Sequence, residues 1–191
     1  MSTFRESQTA KNLLTSYAFE SQATTRYKFF ADQARRDGYI QISAIFNEVA
    51  DQECEHALRF FKFFNGGELE VTARFLTGVV KNTTENLLSA ADLEHYVHSD
   101  LYAGFAAVAR EEGYNLPADV WDAISVAEIQ HEETFRTLAE NVTSGRIFSR
   151  QSEKTWRCMN CGYLHRGKEA PSKCPACVRP SNYFELFVPN W

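Results

Sequence analysis

Apolar residues recur at steps of three and four through most of the first 148 residues, the period of helices with one buried face. Breakers divide this region. "RRDGY" ends one periodic stretch near residue 37, "NGG" at 65–67 ends a second, and "EEGYNLP" at 111–117 ends a third. The stretches between them are long and free of proline, as helix interiors require. Four helices are predicted. Residues 66–83 are too long for a hairpin turn, so they are expected to cross over and join two helical hairpins.

The seams read Leu13, Tyr17, Glu20, Thr24, Tyr27, Ala31; then Phe46, Val49, Glu53, His56, Phe60, Phe63; then Leu87, Ala90, Glu94, Val97, Leu101, Val108; and Ile124, Glu128, His131, Phe135, Leu138, Val142. The phase of the third is open past residue 97. Every seam is interrupted at mid-length by ionisable groups: Glu20, Glu53, His56, Glu94, Glu128 and His131. A single Glu-x-x-His on a helix is usually a solvated pair. Here two copies fall on seams, in register with two further seam glutamates. Four buried carboxylates would repel one another and cost several kcal/mol each in desolvation if unpaired. Cations remove that problem. Two lone glutamates and two Glu-x-x-His pairs form the donor set of a ferritin-like di-iron carboxylate bundle. Hard carboxylates with imidazole suit iron or manganese.

The chain also repeats itself. "ARRDGY" (34–39) matches "AREEGY" (109–114), and Glu53 and Glu128 each lie fourteen residues after the closing tyrosine. Tyr27 and Tyr102 occupy matching places and are candidates for bonding the ligand carboxylates. Glu20 to Tyr27 is seven residues, but Glu94 to Tyr102 is eight. If both pairs face the site, the third helix must absorb one extra residue, and a π-bulge between 94 and 102 does so. His98, four residues after Glu94, is a candidate extra ligand whose bland reading is a surface histidine. Cys54, one step off the seam, reads as helix filler, and His95 and His165 as surface residues.

The remaining four cysteines form Cys158-x-x-Cys161 and, after twelve intervening residues, Cys174-x-x-Cys177. This is a tetrahedral metal signal, and the spacing accepts either iron or zinc. "CMNCGY" and "CPAC" resemble the knuckles of rubredoxin, which leans the choice to iron. Gly162 lets backbone N–H groups turn toward sulfur. Trp156, Tyr163, Tyr183 and Phe184 are candidates for a small core around the metal. The chain divides on this reading into a bundle, 1–148, and a four-cysteine ribbon, 149–191. The ribbon carries net charge +4 and the bundle −9, within a chain of 191 residues and net −5. Opposite signs suit docking between the two, and a net-acidic chain is no nucleic-acid binder. No apolar run approaches the roughly 20 residues of a membrane span, and the N-terminus lacks a signal-like core. A cytoplasmic protein is expected.

The combination resembles the rubrerythrin family along essentially the whole chain. "ESQA", "RRDG", "QISAIF", "ADQECEHA", "AREEGY", "WRCMNCGY" and "CPAC" all look like its segments. The resemblance implies an all-α ferritin-like four-helix bundle with one long crossover, followed by a rubredoxin-like ribbon. It implies two irons in the bundle: Glu20 and His56 on one, Glu94 and His131 on the other, with Glu53 and Glu128 bridging. A third iron is held by the four cysteines. The implied activity is reduction of hydrogen peroxide to water, in oxidative stress defence, with electrons relayed through the thiolate iron from an external donor such as a rubredoxin or a reductase. It implies at least a homodimer, with the ribbon of one subunit near the bundle of another. One departure stands out: the family carries a further carboxylate three residues after the equivalent of Glu94, and here that position is Val97. Two other functions stay open on the residues: a ferritin-like oxidase or ferroxidase, and a non-enzymatic iron-binding bundle with a structural zinc ribbon.

Overall fold

A computed structural model describes residues 3–189; residues 1–2 and 190–191, the outer ends of the two expected units, lie outside them. The helices are α1 (Gln8–Arg36), α2 (Ile40–Phe61), α3 (Thr83–Tyr96), α4 (Tyr102–Glu111) and α5 (Asn115–Thr143). A π-helical segment, Val97–Leu101, joins α3 to α4 into one interrupted rod. The four rods form the bundle. Among the described residues, no helix is long and apolar enough to cross a membrane.

The repeated turn explains how each hairpin stops and reverses. After α1, Tyr39 donates its backbone N–H to Ala34 and Gly38 to Arg35; after α4, Tyr114 donates to Ala109 and Gly113 to Arg110. This is a Schellman ending, whose C′ residue sits in the left-handed region. Gly38 at φ +89° and Gly113 at φ +84° supply that conformation without a Cβ clash. The acidic residue before each glycine has its own task. Asp37 accepts from the Thr83 backbone N–H (2.9 Å) and hydroxyl (2.6 Å) at the start of α3. Glu112 accepts from the backbone N–H groups of Gln8 (2.9 Å) and Thr9 (2.8 Å) at the start of α1. Each hairpin's turn therefore caps the first helix of the other. These bonds hold both carboxyls below the ordinary range, against the opposing effect of partial burial.

The long connection after α2 is irregular as far as Asn82, as expected of the crossover. It is pinned to α1 by Phe75 against Phe19 (5.0 Å between centroids) and by Arg26 donating to the Leu76 carbonyl (2.6 Å). Two apolar clusters fill the bundle. One contains Tyr27, Phe30, Phe46, Leu87 and Phe135; the other contains Leu13, Phe60, Val97, Tyr102 and Trp121. Burying each such large side chain contributes about 1.5–3 kcal/mol.

The third seam corrects one expectation. Leu101 and Val108 are only half-buried, whereas Tyr102, Ala106 and Ala109 are buried. The buried register thus moves one residue later at the π segment, where Tyr102 donates its backbone N–H to Val97 rather than to His98. That is the inserted residue the repeat requires.

The C-terminal ribbon is a three-stranded antiparallel sheet of order β2-β1-β3, from β1 (Ser149–Cys158), β2 (Leu164–Glu169) and β3 (Phe184–Leu186). Trp156 pairs with His165 on one side and Leu186 on the other. Trp156 and Phe184 are fully buried, with Tyr163 and Tyr183 packed against them. Ile147 joins the bundle core, and Phe148 stacks on Tyr39 at 6.3 Å, so the entry to the ribbon is anchored on the first hairpin's turn.

Candidate metal centres

At mid-height the bundle replaces its apolar core with a layer of six ionisable side chains. Glu20 comes from α1, Glu53 and His56 from α2, Glu94 from α3, and Glu128 and His131 from α5. Five are buried outright; His56 keeps 16% of its side chain exposed. Their donor atoms form two overlapping groups, Glu20–Glu53–His56–Glu128 and Glu53–Glu94–Glu128–His131, each with all atoms within 4.8 Å of one another. Glu53 and Glu128 belong to both. The i,i+3 spacing places each histidine beside the glutamate of its own helix, and bundle packing brings the opposite pair to meet it.

The histidines point inward through Nδ1. His56 Nδ1 lies 2.9 Å from Glu53 Oε2 and 3.0 Å from Glu128 Oε1. His131 Nδ1 lies 2.8 Å from Glu128 Oε2 and 2.9 Å from Glu53 Oε1. One ring N–H cannot point well at two oxygens. Oε1 of Glu53 and Oε1 of Glu128 are accordingly buried without a well-directed hydrogen bond, despite those short distances. A cation between the groups would satisfy both oxygens. The donor set therefore fits two metal ions of the iron or manganese class.

Two tyrosines tie the outer carboxylates across the bundle. Tyr27 of α1 donates to Glu94 of α3, and Tyr102 of α4 donates to Glu20 of α1. The crossing is reciprocal, and the π segment absorbs the extra residue of the third rod so that Tyr102 still faces Glu20. Burial, then the charges of Glu53 and Glu128, push the Glu20 and Glu94 carboxyls well above the ordinary range. Burial works against charge on the histidines too. Their hydrogen bonds to Glu128 and Glu53 outweigh it, raising His56 to about 10 and His131 to about 9. The same bonds outweigh burial on Glu53, whose pKa falls.

Four residues bear on the sequence reading. Gln52 Oε1 lies 2.9 Å from His131 Nε2 and orients that ring from outside; an exposed helix residue beside a ligand carries no periodic signal. His98 does not turn into the cavity. Its Nε2 lies 2.7 Å from Glu132 Oε2, on the outer side of α5. Val97 is buried among apolar neighbours and leaves the six groups without a seventh carboxylate. Cys54 is exposed.

The four cysteines of the ribbon also converge. Cys158 and Cys177 sulfurs are 3.7 Å apart, as are those of Cys161 and Cys174. A tetrahedron with metal–sulfur bonds of about 2.3 Å has edges of about 3.8 Å, so the thiolates stand where a metal ion needs them. Each knuckle turns through a residue of positive φ after its second cysteine: Gly162 at +77° and Val178 at +57°. The glycine was expected; a β-branched residue in that conformation is strained and gives no sequence signal. Backbone N–H groups of Tyr163 and Arg179 reach Cys161 and Cys177. The Arg179 bond is the main reason that the Cys177 thiol falls to about 6.

A family model described as rubrerythrin matches residues 11–139, and one described as the rubrerythrin rubredoxin-like domain matches residues 156–185. The rubrerythrin of Nitratidesulfovibrio vulgaris is 49% identical over 191 residues, covering 100% of both chains. That of Porphyromonas gingivalis is 46% identical, covering 97% of this chain and 92% of its own. The chain belongs to the rubrerythrin family. A solved structure of fully reduced, all-ferrous nigerythrin superposes with a TM-score of 0.64 at 30% identity, covering 98% of this chain and 89% of that one. This rubrerythrin-family chain thus joins a ferritin-like bundle to a rubredoxin-like domain, with candidate ligand groups for a di-iron site and for a four-cysteine iron site.

Proposed function

We propose that this chain reduces hydrogen peroxide to water, H2O2 + 2e⁻ + 2H⁺ → 2H2O, as an oxidative-stress defence. Cys158, Cys161, Cys174 and Cys177 would hold an iron able to accept electrons from an external donor such as a rubredoxin or a reductase. The functional units are residues 1–148 and 149–191, working in a homodimer or higher assembly in the cytoplasm. The reading is carried by one observation: two Glu-x-x-His pairs share Glu53 and Glu128 in a buried layer, on the same chain as a tetrahedral set of thiolates. Full-length similarity to named rubrerythrins supports it.

Glu20 and His56 would hold one iron and Glu94 and His131 the other, with Glu53 and Glu128 common to both groups. When bound, the iron pair supplies the two electrons that peroxide reduction consumes. The protein's own groups do the rest. Tyr27 and Tyr102 fix the outer carboxylates through their hydroxyls. Gln52 holds the His131 ring, which leaves His56 the freer of the two histidines. The partial exposure of His56 supports entry of a molecule as small as peroxide on that side. The apolar clusters above and below exclude bulk water. With Val97 in place of a carboxylate, the two halves are alike in ligand type, and His56 would be the histidine available to its iron in both oxidation states.

The test is anaerobic reduction of the iron-loaded protein, then separate additions of peroxide and oxygen while the visible absorption of the thiolate iron is followed. Peroxide should restore the oxidised spectrum faster than oxygen does. Faster recovery with oxygen would favour an oxidase. A Cys161→Ala variant should keep its folded bundle and lose donor-driven turnover.

A further inference from the structure

Outside the inner layer, His95 of α3, His98 of the π segment and Glu132 of α5 bring three more donor atoms together within 4.8 Å. Glu132 Oε2 faces both imidazoles, 2.7 Å from His98 Nε2 and 3.1 Å from His95 Nδ1. The two rings meet edge-on at 5.2 Å. The other oxygen, Oε1, is already taken by Arg136 Nε at 2.7 Å, and Arg136 also reaches Asp92 Oδ1 at 3.1 Å. The carboxylate is therefore clamped from behind, with one oxygen presented to two nitrogens.

We infer that His95, His98 and Glu132 form a separate outer site for one divalent transition-metal ion. With metal–ligand bonds of about 2.1 Å, neighbouring ligands at right angles stand about 3.0 Å apart. The two carboxylate–imidazole distances already bracket that value. Two imidazoles and one carboxylate select an ion of the zinc, cobalt, nickel or ferrous class over magnesium or calcium. Access is open: the His95 side chain is 57% exposed, and those of His98 and Glu132 15%. The Arg136 clamp does for Glu132 what an outer hydrogen bond does for a metal-bound carboxylate elsewhere.

The placement follows from the chain. His95 succeeds Glu94 and Glu132 succeeds His131, so the outer site lies back to back with the inner one. His98 joins them from the π segment that also brings Tyr102 to Glu20. The inference does not depend on the six-group ligand set proposed above.

The experiment uses the full-length protein loaded with iron and freed of excess metal. Isothermal calorimetry with Co²⁺ should show one additional ion bound per chain. His95→Ala, at an exposed position that leaves the core intact, should weaken that binding at least about tenfold, and His98→Ala should do the same. Bundle iron, measured in the same samples, should stay at the unsubstituted level. The inference is overturned if no additional Co²⁺ binds, or if His95→Ala leaves its affinity unchanged. It is also overturned if bundle iron falls in step, because the trio would then be part of the inner site. Failure of the six-group reading shows elsewhere, as iron retained after Glu53→Ala.

Discussion

The first hairpin, α1 and α2, and the second, α3 to α5, are two drafts of one plan. Each ends its leading rod with a glycine turn, caps the other's first helix, and supplies a lone glutamate, a Glu-x-x-His pair and a tyrosine that crosses to the opposite glutamate. They differ in three ways. The second carries an extra residue as a π segment. Its histidine is 2% exposed and held by Gln52, against 16% for His56. It alone bears the outer His95–His98–Glu132 cluster. Donor groups in a core tolerate no drift, so the second copy absorbs its insertion in a local change of helix type and keeps its buried groups in place. The outer face is free to diverge.

The sharpest test of equivalence is at the shared carboxylates. Glu53→Ala removes a donor common to both groups and should cost the bundle most of its second metal, by iron analysis after loading. Glu128→Ala should match it. Two irons retained at unchanged affinity in Glu53→Ala would sink the ligand set; unequal losses would show that one hairpin dominates.

Inserting one alanine after Ser99 comes next. The π segment already absorbs one extra residue, so a second should swing Tyr102 off Glu20. A loss of roughly 2–4 kcal/mol in unfolding free energy is expected, from the displaced aromatic and the lost hydroxyl bond. Unchanged stability would mean that the register of the third rod is not what holds Tyr102 on Glu20.

Smaller effects are expected from Tyr27→Phe and Tyr102→Phe, which leave Glu94 and Glu20 without their hydroxyl partners. Each should lower stability by about 1–3 kcal/mol in chemical denaturation. Near-equal values would support the symmetry. A much smaller loss for Tyr102→Phe would show that the bulge places it less well.

Smallest are the reciprocal caps. Asp37→Ala and Glu112→Ala should each lower stability by about 1 kcal/mol at neutral pH. Both carboxyls titrate below their ordinary values in the folded chain. Their stabilisation is therefore full above the unfolded values of about 3.9 and 4.3 and is lost as pH falls through the folded ones. Each variant should thus show a shallower acid-side decline than the unsubstituted protein, and an unchanged slope would remove these caps from the account.

Much of this molecule was written in one dimension. Helical periodicity placed all four rods, because burying one face of a helix imposes its spacing on the sequence. The same spacing exposed Glu20, Glu53, His56, Glu94, Glu128 and His131 as polar intrusions on buried faces. The unequal intervals from Glu20 to Tyr27 and from Glu94 to Tyr102 betrayed the π segment. Cysteine spacing alone marked the ribbon's metal site, since four thiolates close enough in sequence have one ion to meet at. What only the tertiary structure decided lies between elements. Which glutamate each tyrosine serves, which helix start each acidic turn caps, and that Gln52 holds His131 are matters of helix packing, and no local pattern encodes them. His98 shows the limit best. Four residues from Glu94, it had the spacing of an inner ligand, but the π segment and the approach of α5 decided that it meets Glu132 outside.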